Sequence, residues 1–173
     1  MIFVTGYFGA PIRETAEALA GRENCELVDL DARIEAKDGR SIARICMMAG
    51  EHAYRNQEYE QVQALVGSDS RSGGSAGGDP ESGGDRSAAQ AGPVVLCGDG
   101  ILHDDQTRDL ILDHQLVIAG DNMSADDLWE GARRQENTYH AFMRFGTEAE
   151  KRKAFDEHHR RQRKLFSSVT EGR

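Results

Sequence analysis

Four short apolar runs, Ile2–Thr5, Leu27–Leu30, Val94–Cys97 and Leu116–Ala119, alternate with stretches of helical composition, and this alternation limits the fold more than any other feature. Runs of this kind read as strands buried on both faces, because a strand with one wet face alternates apolar and polar residues. Strands separated by helices form a parallel sheet, since a parallel pair needs a crossover long enough to hold one. The helical stretches carry their own start signals. Ser41 opens one in which Ile42, Ile45, Cys46 and Ala49 recur at helical spacing. Ser124 is placed to cap another over Ala125–Arg134, with Asp126 and Asp127 in the first turn, where the helix dipole favours negative charge. Further helices are expected over 12–20, from Arg33, through Tyr54–Leu65, over Asp104–Leu112 and over 147–166.

From about Gly67 to Gly92 the composition shifts to Gly, Ser, Ala and Asp, with no aromatic or large aliphatic residue. Such a segment cannot bury enough surface to offset its ordering entropy. It is therefore expected as a disordered insert within one domain spanning residues 1–173, not as a boundary between two. A long surface loop costs little, because closure entropy grows only logarithmically with length.

The net charge of −9 argues against general affinity for nucleic acid or for an anionic membrane surface. No apolar run approaches the roughly 20 residues that span a bilayer, and the first residues lack a basic segment leading into an apolar one. A cytoplasmic location is expected. Cys25, Cys46 and Cys97 lie far apart beside apolar residues and are expected as free thiols. The histidines, among them His103, His140, His158 and His159, show no zinc spacing and are expected on surfaces or helix faces. The final helix is basic from Lys151 to Lys164; together with the insert it is a candidate contact surface for a protein partner.

Parallel α/β sheets bind ligands at the carboxyl ends of their strands. Here those ends read V-T-G-Y-F-G-A-P-I-R-E, L-V-D-L-D-A-R-I-E and V-V-L-C-G-D-G-I-L, with G-R-S-I-A-R-I and G-E-H-A-Y-R-N-Q-E between the second and third. In this order the motifs resemble the shikimate kinase family of P-loop, nucleoside-monophosphate-kinase-like proteins, over most of the chain outside the insert. The resemblance implies an α/β, three-layer fold with a parallel sheet flanked by helices. It also implies ATP and Mg²⁺ as cofactors and a small anionic metabolite as partner. Carried over by position, it gives Asp29 the magnesium role, Asp31 the contact to substrate hydroxyls and the transfer step, and Arg55 the substrate carboxylate. Glu58 matches a helper residue, Gly98 and Gly100 match the outer glycines of a substrate loop, and Gly6 and Gly9 belong to the nucleotide loop. The residue types suit that chemistry, because a carboxylate orients a hydroxyl nucleophile and a guanidinium fork matches a carboxylate.

The pattern breaks where phosphate should bind. A Walker A loop needs a glycine for close backbone approach, a lysine for the phosphate oxygens and a hydroxyl for the metal. Pro11, Ile12 and Arg13 stand in those places. Proline removes an amide, isoleucine has no charge, and arginine ligates no metal. Arg13 is the one cation left to meet a nucleotide. Asp99 replaces the middle glycine of the substrate loop, where its charge is expected to repel an anion. The family's second substrate arginine falls at Gln162 if Leu165 and Phe166 mark its register, with Arg161 and Arg163 on either side. Asp29, Asp31, Asp99 and Glu58 are alternatively expected to gather as an acidic cluster for a hard cation. The sequence thus favours a binding or regulatory module of impaired activity; the alternative is a divergent kinase acting on a hydroxyl.

Overall fold

In the computed structural model β1 (Ile2–Gly6) is the hub of the sheet, paired in parallel with β3 (Val94–Leu96) on one side and β4 (Gln115–Ala119) on the other. The remaining strand, β2 (Leu27–Asp29), pairs in parallel with β3, so the order is β2-β3-β1-β4. The structure describes residues 1–72, 92–135 and 138–171. Helices α1 (Ile12–Glu23), α2 (Leu30–Asp38), α3 (Ile42–Ala49), α4 (Glu51–Ser72), α5 (Asp105–Leu112), α6 (Ala125–Arg134) and α7 (Glu148–Glu171) alternate with the strands. Two short 3-10 turns, Ile101–His103 and Ala141–Met143, lie beside the strand ends.

The sheet is covered on both faces, as its uniformly apolar strands require. Ile2, Val4, Val94 and Leu96 pack against Ala16, Leu19 and Ala20 of α1 on one face. Phe3 and Val95 point the other way into a larger core with Leu30, Ile34, Tyr54, Ile111, Phe155 and Phe166. Burying one such phenylalanine contributes about 1.5–3 kcal/mol, so the two faces together hold the strand ends in fixed register.

The helix starts follow local chemistry. Ser41 accepts from the Arg44 amide at 3.3 Å and Ser124 from the Asp127 amide at 3.1 Å, and α6 runs over the expected residues. The second strand is shorter than expected. It ends at Asp29, whose carboxylate accepts from the Ala32 amide at 3.0 Å and starts α2 directly at Leu30. Helix α4 continues through Gly67 to Ser72, into the stretch expected as an insert, and the rest of that stretch, 73–91, lies outside the described residues. Among the described residues no helix is long and apolar enough to cross a membrane.

Candidate functional site

The loop between β1 and α1 is closed on itself. The Tyr7 amide donates to Ala119 O at 3.1 Å, the Phe8 amide to Gln162 Oε1 at 3.1 Å, the Ala10 amide to Tyr7 O at 2.9 Å and the Ile12 amide to Ala10 O at 2.9 Å. Pro11 has no amide to offer. Gly9 adopts φ +94°, and a Cβ there would lie 1.9 Å from Leu128 O, so α6 sits directly on the loop. The contact is reciprocal, since a Cβ on Gly131 would lie 2.0 Å from Gly9 O.

Arg13 faces Asp29. Its guanidinium lies 2.5 Å from Asp29 Oδ2, a contact that raises the Arg13 pKa, while Asp29 Oδ1 caps α2. Both oxygens of the carboxylate assigned to magnesium therefore already have protein partners. Asp31 is half-buried and accepts from the Tyr54 hydroxyl at 2.7 Å. Burial, opposed by that hydrogen bond, pushes its carboxyl up to about 6.

Asp31 and Arg55 line neighbouring cavities that have Tyr139 and His140 as common walls. Asp31 lines a cavity of about 1120 Å³ together with Gly9, Arg13, Asp29, Gly98 and Asp99. Arg55 and Gly100 line a second cavity of about 780 Å³, and Tyr139 and His140 contribute to the walls of both. The Arg55 guanidinium packs so closely over Gly100 that a Cβ there would lie 2.1 Å from Nη2. It donates to Glu58 through Nη1, and through Nη2 to Glu51 at 2.9 Å and the Tyr139 hydroxyl at 2.9 Å. Burial, partly offset by Arg55, raises the Glu58 carboxyl to about 7.

The two cavities differ in charge. Glu14, Asp29, Asp31, Glu35, Asp99 and Asp127 line the larger one against Arg13 and Arg134. Around the second, Arg55, Arg144 and Arg161 outnumber Glu51.

The Asp99 carboxylate is buried among donors. His140 Nε2 lies 2.9 Å from Oδ2, the Tyr139 hydroxyl donates to Oδ1 at 2.7 Å, and Gln162 Nε2 donates to Oδ2 at 3.1 Å and to the Asp99 carbonyl at 3.0 Å. His158 Nε2 stands 3.5 Å from the same Oδ2. Burial alone would raise the Asp99 pKa, yet His140 and His158 hold it well below the carboxylate range. At the register of the second substrate arginine, Gln162 turns inward, 1% exposed, while Arg161 and Arg163 are exposed.

The acidic cluster does not form. Glu58 belongs to Arg55, Asp29 to Arg13 and the α2 cap, and Asp99 to two histidines. Sequence reasoning missed His140 and His158, which come from a loop and a helix and meet only through folding. Their sole signal was the carboxylate at Asp99, in a loop where the resembling family has glycine.

Strand order, flanking helices and a glycine loop after β1 define the class as a three-layer P-loop kinase-like α/β protein. A family model described as Shikimate kinase matches residues 13–82, a stretch that begins just past Pro11 and Ile12. The shikimate kinase of Chlorobium limicola is 37% identical over 67 residues, covering 39% of this chain and 34% of that protein. That of Chlorobaculum tepidum is 30% identical over 118 residues, covering 68% of this chain and 50% of that protein. The chain thus spans half or less of these relatives' lengths. Shikimate kinase from Acinetobacter baumannii, solved in complex with shikimate, superposes with a TM-score of 0.71 at 18% identity, covering 97% of this chain and 78% of that one. The enzyme from Bacteroides thetaiotaomicron gives 0.70 at 16% identity, covering 96% and 81%. Over these stretches the chain is similar in sequence to the shikimate kinase family, and it shares the fold of the two solved enzymes.

The family's cofactors do not fit the residues present. ATP needs free loop amides and a cation for its phosphates, and magnesium needs oxygen ligands. Here four loop amides are engaged internally, Ile12 is uncharged, Arg13 is bound to Asp29, and neither oxygen of Asp29 is without a donor.

Proposed function

We propose that this protein binds a small anionic metabolite without transferring phosphate to it, and so acts as a binding or regulatory module. The observation that carries this reading is the closed loop after β1, whose Tyr7, Phe8, Ala10 and Ile12 amides already donate within the protein. Opening the loop for a triphosphate means breaking buried hydrogen bonds at about 1–3 kcal/mol for each group left unpaired. The acidic larger cavity adds Coulombic repulsion against a polyanion.

The ligand reading rests on the second cavity, where Arg55, Arg144 and Arg161 present positive charge suited to a carboxylate. The Acinetobacter enzyme was solved with shikimate, and a ligand of that kind, a hydroxylated carboxylate, matches this chemistry. A kinase must bring its base and its substrate anchor to one ligand. Here the side chains of Tyr139 and His140 stand between the cavity lined by Asp31 and the one lined by Arg55, which supports binding without transfer.

One observation favours the divergent-kinase alternative: Asp31 is a half-buried carboxyl raised to about 6, a value suited to taking a proton from a hydroxyl. A coupled assay of ADP release with ATP, Mg²⁺ and shikimate separates the two readings. No turnover above the no-protein rate is expected, and multiple turnovers that vanish in Asp31→Asn would establish the kinase instead. Titration with shikimate is expected to give saturable binding weakened by Arg161→Ala, a substitution at an exposed position.

A further inference from the structure

Asp99, His140 and His158 lie on three separate segments, yet their ligating atoms all fall within 4.8 Å of one another. Asp99 follows β3, His140 precedes the 3-10 turn at Ala141–Met143, and His158 is on α7. His140 Nε2 and His158 Nε2 stand 2.9 and 3.5 Å from Asp99 Oδ2. Donors about 2.0–2.2 Å from a common ion lie roughly 3.0–3.5 Å from each other, the separation that tetrahedral or octahedral ligation requires. Zinc sites of the open type use three protein ligands of this kind and leave the next position free.

Hydrogen bonding within the protein accounts for His140, but not for His158. Its buried Nε2 stands 3.5 Å from Asp99 Oδ2 without completing a well-directed hydrogen bond, although the ring is packed by Phe8, His103, His140 and Phe142. A buried imidazole nitrogen beside a carboxylate and a second imidazole is placed to ligate a divalent ion. The surrounding residues supply the outer support that metal carboxylates need. The Tyr139 hydroxyl fixes Asp99 Oδ1, and Gln162 fixes both Oδ2 and the Asp99 carbonyl. His140 and His158 also line the second cavity, which gives an ion there an open face beside Arg55 and Arg161.

We propose that Asp99, His140 and His158 form a site for a divalent first-row transition ion of the zinc type, held in the wall between the two cavities. Two imidazoles and one carboxylate favour such an ion over magnesium or calcium, which take all-oxygen shells. The site stands independently of the proposed function, because metal uptake requires neither ATP nor the small-molecule ligand.

The test uses the full chain, stripped with chelator and titrated with Zn²⁺ against a chromophoric competitor, with Co²⁺ as a spectroscopic probe. One equivalent of zinc is expected, with cobalt d–d absorption and no thiolate charge-transfer band. His158→Ala, at the least buried of the three ligands, is expected to lower affinity at least about 100-fold. His103→Ala, which alters only a ring stacked on His158, is expected to keep the stoichiometry. Circular dichroism melts establish that each variant is folded, and should His140→Ala fail to fold, His158→Ala carries the test. Absence of saturable Zn²⁺ and Co²⁺ binding by the wild type, or unchanged affinity in folded His158→Ala, overturns the proposal.

Discussion

Replacing Gly131 with alanine isolates the contact that closes the loop, because two physical effects of opposite sign compete there. In an exposed helix, Gly→Ala stabilises by about 0.8–1.0 kcal/mol through helix propensity. Gly131 lies within α6, but its new Cβ would stand 2.0 Å from Gly9 O and 3.0 Å from Gly9 C. The obstructing atoms are backbone, so no side chain can rotate away, and Gly9 is itself held at φ +94°. Overpacking of this kind costs about 1–3 kcal/mol, and an approach this close to fixed backbone sits at the upper end, so after the propensity gain the net loss is about 2 kcal/mol. For a domain of this size that loss lowers Tm by about 4–8 °C. Urea denaturation should show a lower midpoint at unchanged m-value. Gly21→Ala, in α1 with nothing within 4 Å of its Cβ, is the control and should raise the midpoint or leave it unchanged. A higher midpoint in Gly131→Ala would refute the close packing of α6 on the loop.

Further outcomes follow from the buried polar groups. Gln162→Leu keeps most of the volume but strands the Phe8 amide and the Asp99 carbonyl, at about 1–3 kcal/mol each. Its denaturation midpoint should fall accordingly, and hydrogen exchange at the Phe8 amide should speed up; unchanged protection at Phe8 would contradict the bond. Asp31 has a folded-state pKa of about 6 against 3.8, so the native state binds more protons than the unfolded state between those values and loses stability as pH rises through them. Asp31→Asn removes that dependence. Relative to wild type the variant should gain about 3 kcal/mol between pH 3.5 and pH 7.5, at roughly 1.4 kcal/mol per pKa unit, and a difference that stays flat across that range would disprove the burial effect. Arg13→Ala should change stability by less than about 1 kcal/mol, since the Arg13–Asp29 pair is partly exposed.

Much of the architecture was legible because it rests on local chemistry. Continuous apolar strands predicted a two-faced sheet, and Ser41 and Ser124 marked the starts of α3 and α6. Asp29 was harder to read. Its position after an apolar run suits a metal ligand or a helix cap equally, and only the Ala32 amide and Arg13 decide between them. Gly67 was misleading, since glycine lowers helix propensity without forbidding a helix, and α4 passes through it to Ser72. At the site, sequence order named Asp31, Arg55 and Asp99 but not their neighbours. Whether Asp31 and Arg55 share a cleft depends on Tyr139 and His140, far along the chain, whose side chains line both cavities. The meeting of His140 and His158 is likewise a product of tertiary packing, and no spacing rule for adjacent ligands could find it.

The closed phosphate loop is the central claim, and calorimetric titration of the full chain with ATP in the presence of Mg²⁺ tests it most directly. With the Tyr7, Phe8, Ala10 and Ile12 amides engaged and Arg13 held by Asp29, no saturable heat is expected into the millimolar range. Saturable binding at micromolar ATP, lost in Arg13→Ala, would contradict it.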